Sequence, residues 1–154
     1  MNGHSPEHIK NRIEWRAGKH EFPYLHTDYW PQAPLSLQDA IPDDFLEPTV
    51  YSLASTGRGT VVGVDEVLTL NDGVESRFLI DDIRAIQPYP SLNSPEQKQN
   101  LDGLKISLGQ ERTTVVRCEA GSPCFAIWNI LLTLAQMQKR GEQSVPPKSD
   151  RAGG

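Results

Sequence analysis

Residues 68–86 read LTLNDGVESRFLIDDIRAI, and how they are read decides the fold. Asn71, Asp72 and Gly73 are residue types that tolerate the left-handed backbone of a tight hairpin. Val74, Ser76, Phe78 and Ile80 then alternate with Glu75, Arg77 and Leu79, the period of two expected of a strand. Asp81-Asp82 makes a second short turn, and Ile83, Ala85 and Ile86 continue into another strand. The stretch is therefore a hairpin followed by a further strand.

Upstream, the strand pattern starts at Pro48 with TVYSLAST, turns at Gly57-Arg58-Gly59, and resumes as TVVGVDEVLTL over residues 60–70. Within that run Val62, Val64, Leu68 and Leu70 share one parity, with Gly63, Asp65 and Thr69 on the other. Gly63 and the Asp65-Glu66 pair leave open whether this is one long strand or two short ones. Downstream, prolines 88, 90 and 95 predict a long surface loop over residues 88–102. Strands return with LKISL and, after Gly109-Gln110, with TTVVRC.

The last element is a helix: Ser122 as N-cap, Pro123 in the first position, CFAIWNILLTLAQMQKR, and Gly141 as terminator. Its length is about five turns. Ile127, Leu131 and Leu134 line one face with Trp128 and Ala135 beside them, and Phe125 and Leu132 widen the stripe. So apolar a helix must cap an open sheet or barrel, or lie in an interface. Residues 142–154 read as a disordered tail.

Ahead of the strands, Ser5 and Pro6 open a short helix that Gly18 can close, with Ile9 and Ile13 on one face. Five prolines between residues 23 and 48 then predict an irregular extended arm. The arm carries Phe22, Tyr24, Tyr29, Trp30, Leu35, Leu37, Ile41, Phe45 and Leu46, too apolar for a disordered segment. It either wraps its own domain, the favoured course, or docks on another protein as an extended peptide. The domain division is thus helix and acidic aromatic arm over 1–47, a β-rich body over 48–141, and the tail.

A chain of 154 residues is sized for one domain with extensions. The net charge of -5 argues against binding phosphate backbones, so nucleic acid is not expected as a partner. Acid is concentrated in front: residues 1–48 hold four Lys/Arg against eight Asp/Glu. There is no membrane-spanning run or secretory signal, and the two cysteines are too few for a disulfide scaffold, so a cytoplasmic protein with free thiols is expected.

The phrase of strand, Asn-Asp turn, FLIDDIRAI, loop, LKISL, turn and TTVVRC, closed by a helix with a central Trp, resembles the pleckstrin-homology-like barrel. It is similar in particular to small bacterial PH-like and GRAM-like domains, where an I-x-x-I strand follows an aspartate turn, here Ile80, Asp81, Asp82, Ile83 and Ile86. The resemblance covers residues 49–141. It implies an α+β fold: an antiparallel β-barrel or sandwich of six or seven strands capped by the C-terminal helix. Lipid-binding members carry a Lys and Arg cluster around the first hairpin. This chain has only Arg58 there, with Arg77 near, so these two are its anion or lipid candidates.

Catalytic chemistry is not indicated. His4 and His8 are spaced i, i+4, but with His20 and His26 they lack the compact spacing of a zinc motif, so no metal site is expected. Cys124 falls in the first turn of the last helix, where the dipole can lower a thiol pKa, yet no His neighbours it in sequence. Asp43-Asp44, Asp65-Glu66 and Asp81-Asp82 are adjacent pairs that read as turn formers and solvated charge, not an acid-base dyad. No phosphate loop, dinucleotide fingerprint or nucleophile elbow is present. The expectation is a non-enzymatic, cofactor-free protein-interaction module, inhibitory or adaptor in kind, with Phe22, Tyr24, Tyr29, Trp30 and Phe45 as partner-binding candidates. The alternative is a peripheral membrane or small-ligand domain acting through Arg58 and Arg77.

Overall fold

The computed structural model describes residues 5–55, 57–72, 74–89 and 100–152, with side chains up to Gln138. Among the described residues eight strands form two antiparallel sheets: β1 (Thr27–Tyr29), β2 (Val50–Ser55), β3 (Arg58–Val62), β4 (Glu66–Asn71) and β5 (Val74–Leu79) in one, β6 (Ile83–Pro88), β7 (Gly103–Leu108) and β8 (Thr113–Arg117) in the other. The same residues include the α-helices α1 (Pro6–Lys19), α2 (Leu35–Ala40) and α3 (Ser122–Ala152). The fold is α+β, and each sheet is a meander in sequence order.

The opening stretch folds as its turn residues require. Asn71 pairs with Val74 across the β4–β5 hairpin and Asp72 sits at φ 54°, the left-handed conformation the two-residue connection needs. A single 3-10 turn, Ile80–Asp82, then carries the chain from the first sheet to the second. The run over 60–70 is two strands. The chain reverses over residues 63–65, with Gly63 N–H donating to Glu66 C=O at 2.9 Å. The parity read across it therefore splits: Val62 and Val64 face the inner core, while Leu68 and Leu70 face the opposite side.

That opposite side is also covered. In register, Val50, Val62 and Val67 line the inner face, and Tyr51, Val61 and Leu68 line the outer face. The inner face meets the second sheet through Leu104, Ile106 and Val116, and α3 seals it with Ile127, Leu131 and Leu134. These strands are buried on both sides, so polar residues such as Ser52, Thr60 and Thr69 are enclosed with the apolar ones and the in-out alternation is blurred. Where β8 faces the first sheet, side chains bridge the gap: Thr60 Oγ1 donates to Arg117 C=O at 2.6 Å and Asn71 Nδ2 to Val115 C=O at 3.3 Å.

The arm is built into the body and is not an irregular appendage. Ser5 Oγ accepts the His8 N–H at 3.1 Å, capping α1, and Ile9, Ile13 and Ala17 enter the inner core. Gly18 does not end this helix. The turn comes at Glu21, φ 68°, where Glu21 N–H reaches Gly18 C=O and Phe22 N–H reaches Ala17 C=O, a Schellman ending made by a non-glycine residue. Next, β1 adds to the edge of β2, pairing Thr27 with Ser52 and Tyr29 with Val50. Ala33, Leu37 and Phe45 then lie over Tyr51, Val61 and Leu68, forming a second core on the outer face. Among the described residues of 49–141 the strands number seven, β2 to β8, within the six or seven expected there, and β1 adds another from the proline-rich arm.

In α3, Leu132 is exposed while its neighbour Leu131 is fully buried, so the apolar stripe is narrower than the sequence implies. Trp128 is only partly buried, stacked on Phe125 with ring centroids 5.6 Å apart. The helical backbone continues past Gly141. Most of the predicted 88–102 loop, residues 90–99, lies outside the described residues, as do the side chains of the predicted tail.

Candidate functional site

The five aromatic candidates fall into two groups. Phe22, Tyr24 and Tyr29 meet at the end of α1: Phe22 lies 5.9 Å from Tyr24 and 5.6 Å from Tyr29 between ring centroids. The Tyr24 hydroxyl donates to the His20 carbonyl, and burial raises the pKa of both tyrosines. Trp30 and Phe45 belong to the outer core, Trp30 edge-on to Tyr51 at 6.4 Å and Phe45 only 5% exposed. Phe45 packs so closely on Gly63 that a Cβ there would meet its ring at 2.9 Å. All five rings thus contact their own chain.

The two arginine candidates are not together. Arg77 is held by Glu66 at 2.6 Å and by Asp44 at 2.9 Å, with its guanidinium 5.6 Å from the Phe45 ring. Those carboxylate bonds push its pKa up and leave it little capacity for an added anion. Arg58 donates from Nε to Asp72 Oδ1 at 2.9 Å and makes no other described bond. Its two Nη groups make no bond or ion pair with the described residues.

Arg58 stands at the mouth of a cavity of about 530 Å³ on the outer face of the five-stranded sheet. Leu37, Leu53 and Leu70 make its floor, and His26, Ser36 and Ser55 share the rim with Arg58. Of its ten lining residues four come from the arm, five from the β2–β3 hairpin and one, Leu70, from β4, so its shape depends on α2 lying against the sheet. Its size falls in the range of about 300–1,000 Å³ typical of ligand pockets. Beside it in sequence, Leu25 is 83% exposed and Leu35 75% exposed.

The other candidate chemistry resolves differently. Cys118 and Cys124 are both fully buried, and the Cys118 thiol beside Cys124, together with burial, drives the Cys124 pKa upward. That upward shift runs against the lowering expected from the helix dipole. Asp82 pairs with Arg112 at 3.1 Å and Asp44 and Glu66 with Arg77, so the acidic doublets serve ion pairs and turns. Asp65 is shifted upward, by burial first and then by Glu66. His4 lies outside the described residues, and no group of three or more metal-binding side chains is assembled among those described. Among the described residues, no helix is long and apolar enough to cross a membrane.

Sequence reasoning does not reach the cavity. The segment LSLQDA has no side-chain cap to announce α2, whose N-cap is Pro34. Leu53 reads as one face of an ordinary half-buried strand. The one available signal is the high apolar content of residues 20–47, which requires something to cover. Compared with known proteins, the chain matches no family model, no curated protein and no solved structure.

Proposed function

We propose that this chain is a non-enzymatic protein-interaction module on a pleckstrin-homology-like scaffold, and that it recognises its partner at the outer-face cavity. The scaffold reading is supported by the order of elements: β2 to β5 in one sheet, β6 to β8 in the second, then α3, with β1 as an added edge strand. The observation that carries the function is the cavity itself: an apolar floor with a cationic and hydroxyl rim, the exposed Leu25 and Leu35 standing next in sequence to His26 and Ser36 of its lining. Such a site suits an apolar side chain of a partner segment with a carboxylate beside it to meet the Arg58 Nη groups. In this reading the arm aromatics set the shape of the site by packing, while α2 and the β2–β3 hairpin touch the partner. The two free cysteines support a cytoplasmic setting.

The test is affinity capture with the full chain as bait, run in parallel with Ser36→Glu, Arg58→Glu and a control on β7 of the other sheet, Lys105→Glu. One protein should be held by the wild type and the control and lost by both rim variants, with affinity weakened roughly tenfold or more. Far-UV circular dichroism must show all four folded. A partner retained equally by both rim variants would remove the cavity from the recognition surface.

A second reading, a small amphipathic carboxylate as ligand, is favoured by the Arg58 Nη groups, unbonded among the described residues, over a leucine floor. A panel of medium-chain fatty acids that raises the melting temperature of wild type but not of Arg58→Glu would select it.

A further inference from the structure

All four cations of the first 48 residues, Lys10, Arg12, Arg16 and Lys19, lie on α1. Lys10 approaches Glu47 at 3.9 Å. The other three converge on a ring instead of a carboxylate: Arg12, Arg16 and Lys19 sit 4.9, 5.2 and 5.2 Å from the Trp15 ring centroid. Trp15 is itself 49% exposed. None of the three makes an ion pair with a described residue, and Arg16 Nε is buried without a partner among them. Elsewhere Arg58, Arg77, Arg112 and Arg117 are each matched to an acid, and Arg84 donates to the Asp81 and Ile83 carbonyls. Like charges three and four residues apart on a helix repel, and among the described residues no carboxylate forms an ion pair with these three.

We propose that this face of α1 binds an acidic segment of a partner protein, an extended stretch with carboxylates at alternate positions. Arg12 and Lys19 are seven residues apart, about 10 Å along the helix axis. Alternate side chains of an extended chain recur about every 7 Å on one side, so two or three carboxylates span the cluster. Each arginine can grip a carboxylate through paired N–H donors, and the Trp15 ring offers a flat apolar bed for the aliphatic stems of the acidic side chains. An anionic bilayer fits less well. Three cations raise membrane partitioning by roughly a hundredfold, which is marginal alone. A charged plane would also repel a chain of net charge -5 along its whole approach, whereas a short segment meets only this face. The site shares no residue with the outer-face cavity and stands or falls separately.

The test is a titration of the full ¹⁵N-labelled chain with a synthetic peptide of alternating glutamate and alanine, followed at the Trp15 indole N–H, assigned through Trp15→Phe. Saturable shifts confined to α1 and its neighbours are expected, weakening roughly tenfold as salt rises from about 50 mM to about 200 mM. Arg12→Glu combined with Lys19→Glu should lose binding roughly a hundredfold. Occupancy should also raise the titration midpoint of His20, which is lowered by burial and then by the Arg16 charge that a bound carboxylate would counter. Absence of saturable shifts, or equal shifts in the double variant, overturns the proposal. So does attachment to phosphatidylserine vesicles without peptide binding, which would assign the face to lipid.

Discussion

Replacing Phe45 with alanine separates an arm that is core from an arm that is bait. The ring is almost fully enclosed between Gly63, the outer-core leucines and the Arg77 guanidinium. Removing a buried Phe side chain costs about 3–5 kcal/mol through lost transfer energy and the cavity left behind. The low end, about 3 kcal/mol, applies because the Arg77 stem can settle into part of the space. For a chain of this size that is a fall in melting temperature of roughly 6–12 °C. With a denaturant slope of about 2 kcal/mol/M in urea, the midpoint moves by roughly 1.5 M. Phe45→Leu should lose only about 1–1.5 kcal/mol, since it keeps most of the volume. Gly63→Ala supplies an internal check: its Cβ would meet the Leu46 carbonyl at 2.7 Å and the Phe45 ring at 2.9 Å, so it should destabilise alone and do so less beside Phe45→Ala. Urea melts followed by circular dichroism give all four values. A loss below about 1 kcal/mol for Phe45→Ala, with partner capture abolished, would mean that the ring reaches outward and that the second core is wrong.

Three further outcomes are expected. Leu131→Ala should cost about 2–5 kcal/mol while Leu132→Ala, one residue along the same helix, should stay within about 0.5 kcal/mol; similar losses in thermal melts would refute the assigned helix face. Cys118 and Cys124 should resist Ellman's reagent at pH 8 in the folded protein and react promptly in guanidinium. Rapid native labelling of Cys124 would contradict its burial and its raised pKa. His20 should titrate below 6.5, because burial and then Arg16 disfavour its charged form. Its neutral form contributes stability that is present above pH 6.5 and lost as pH falls through the lowered folded value. Arg16→Ala should move the proton NMR midpoint of His20 upward, and no movement would detach the two groups.

What the chain determines locally is considerable. Asn71-Asp72-Gly73 favours a tight hairpin between two strand-forming runs, because few residues accept the left-handed backbone that Asp72 adopts, and Ser5-Pro6 starts a helix on the strength of one side-chain oxygen. The stripe of Ile127, Leu131 and Leu134 demands a sheet to cover, and it covers one. These are short-range constraints, readable within a single turn or strand. Tertiary contacts alone decided the rest. β1 is a strand because the free edge of β2 accepts its backbone bonds, and α2 is a helix because Leu37 finds the outer face of a sheet whose second apolar side no period-two reading anticipates. Gly63 looks like a strand defect until the arm is laid against it, when it becomes the only residue small enough for Phe45 and Leu46 to pass. The outer-face cavity has the same origin, since its walls come from segments that approach one another only after both faces of one sheet have been buried.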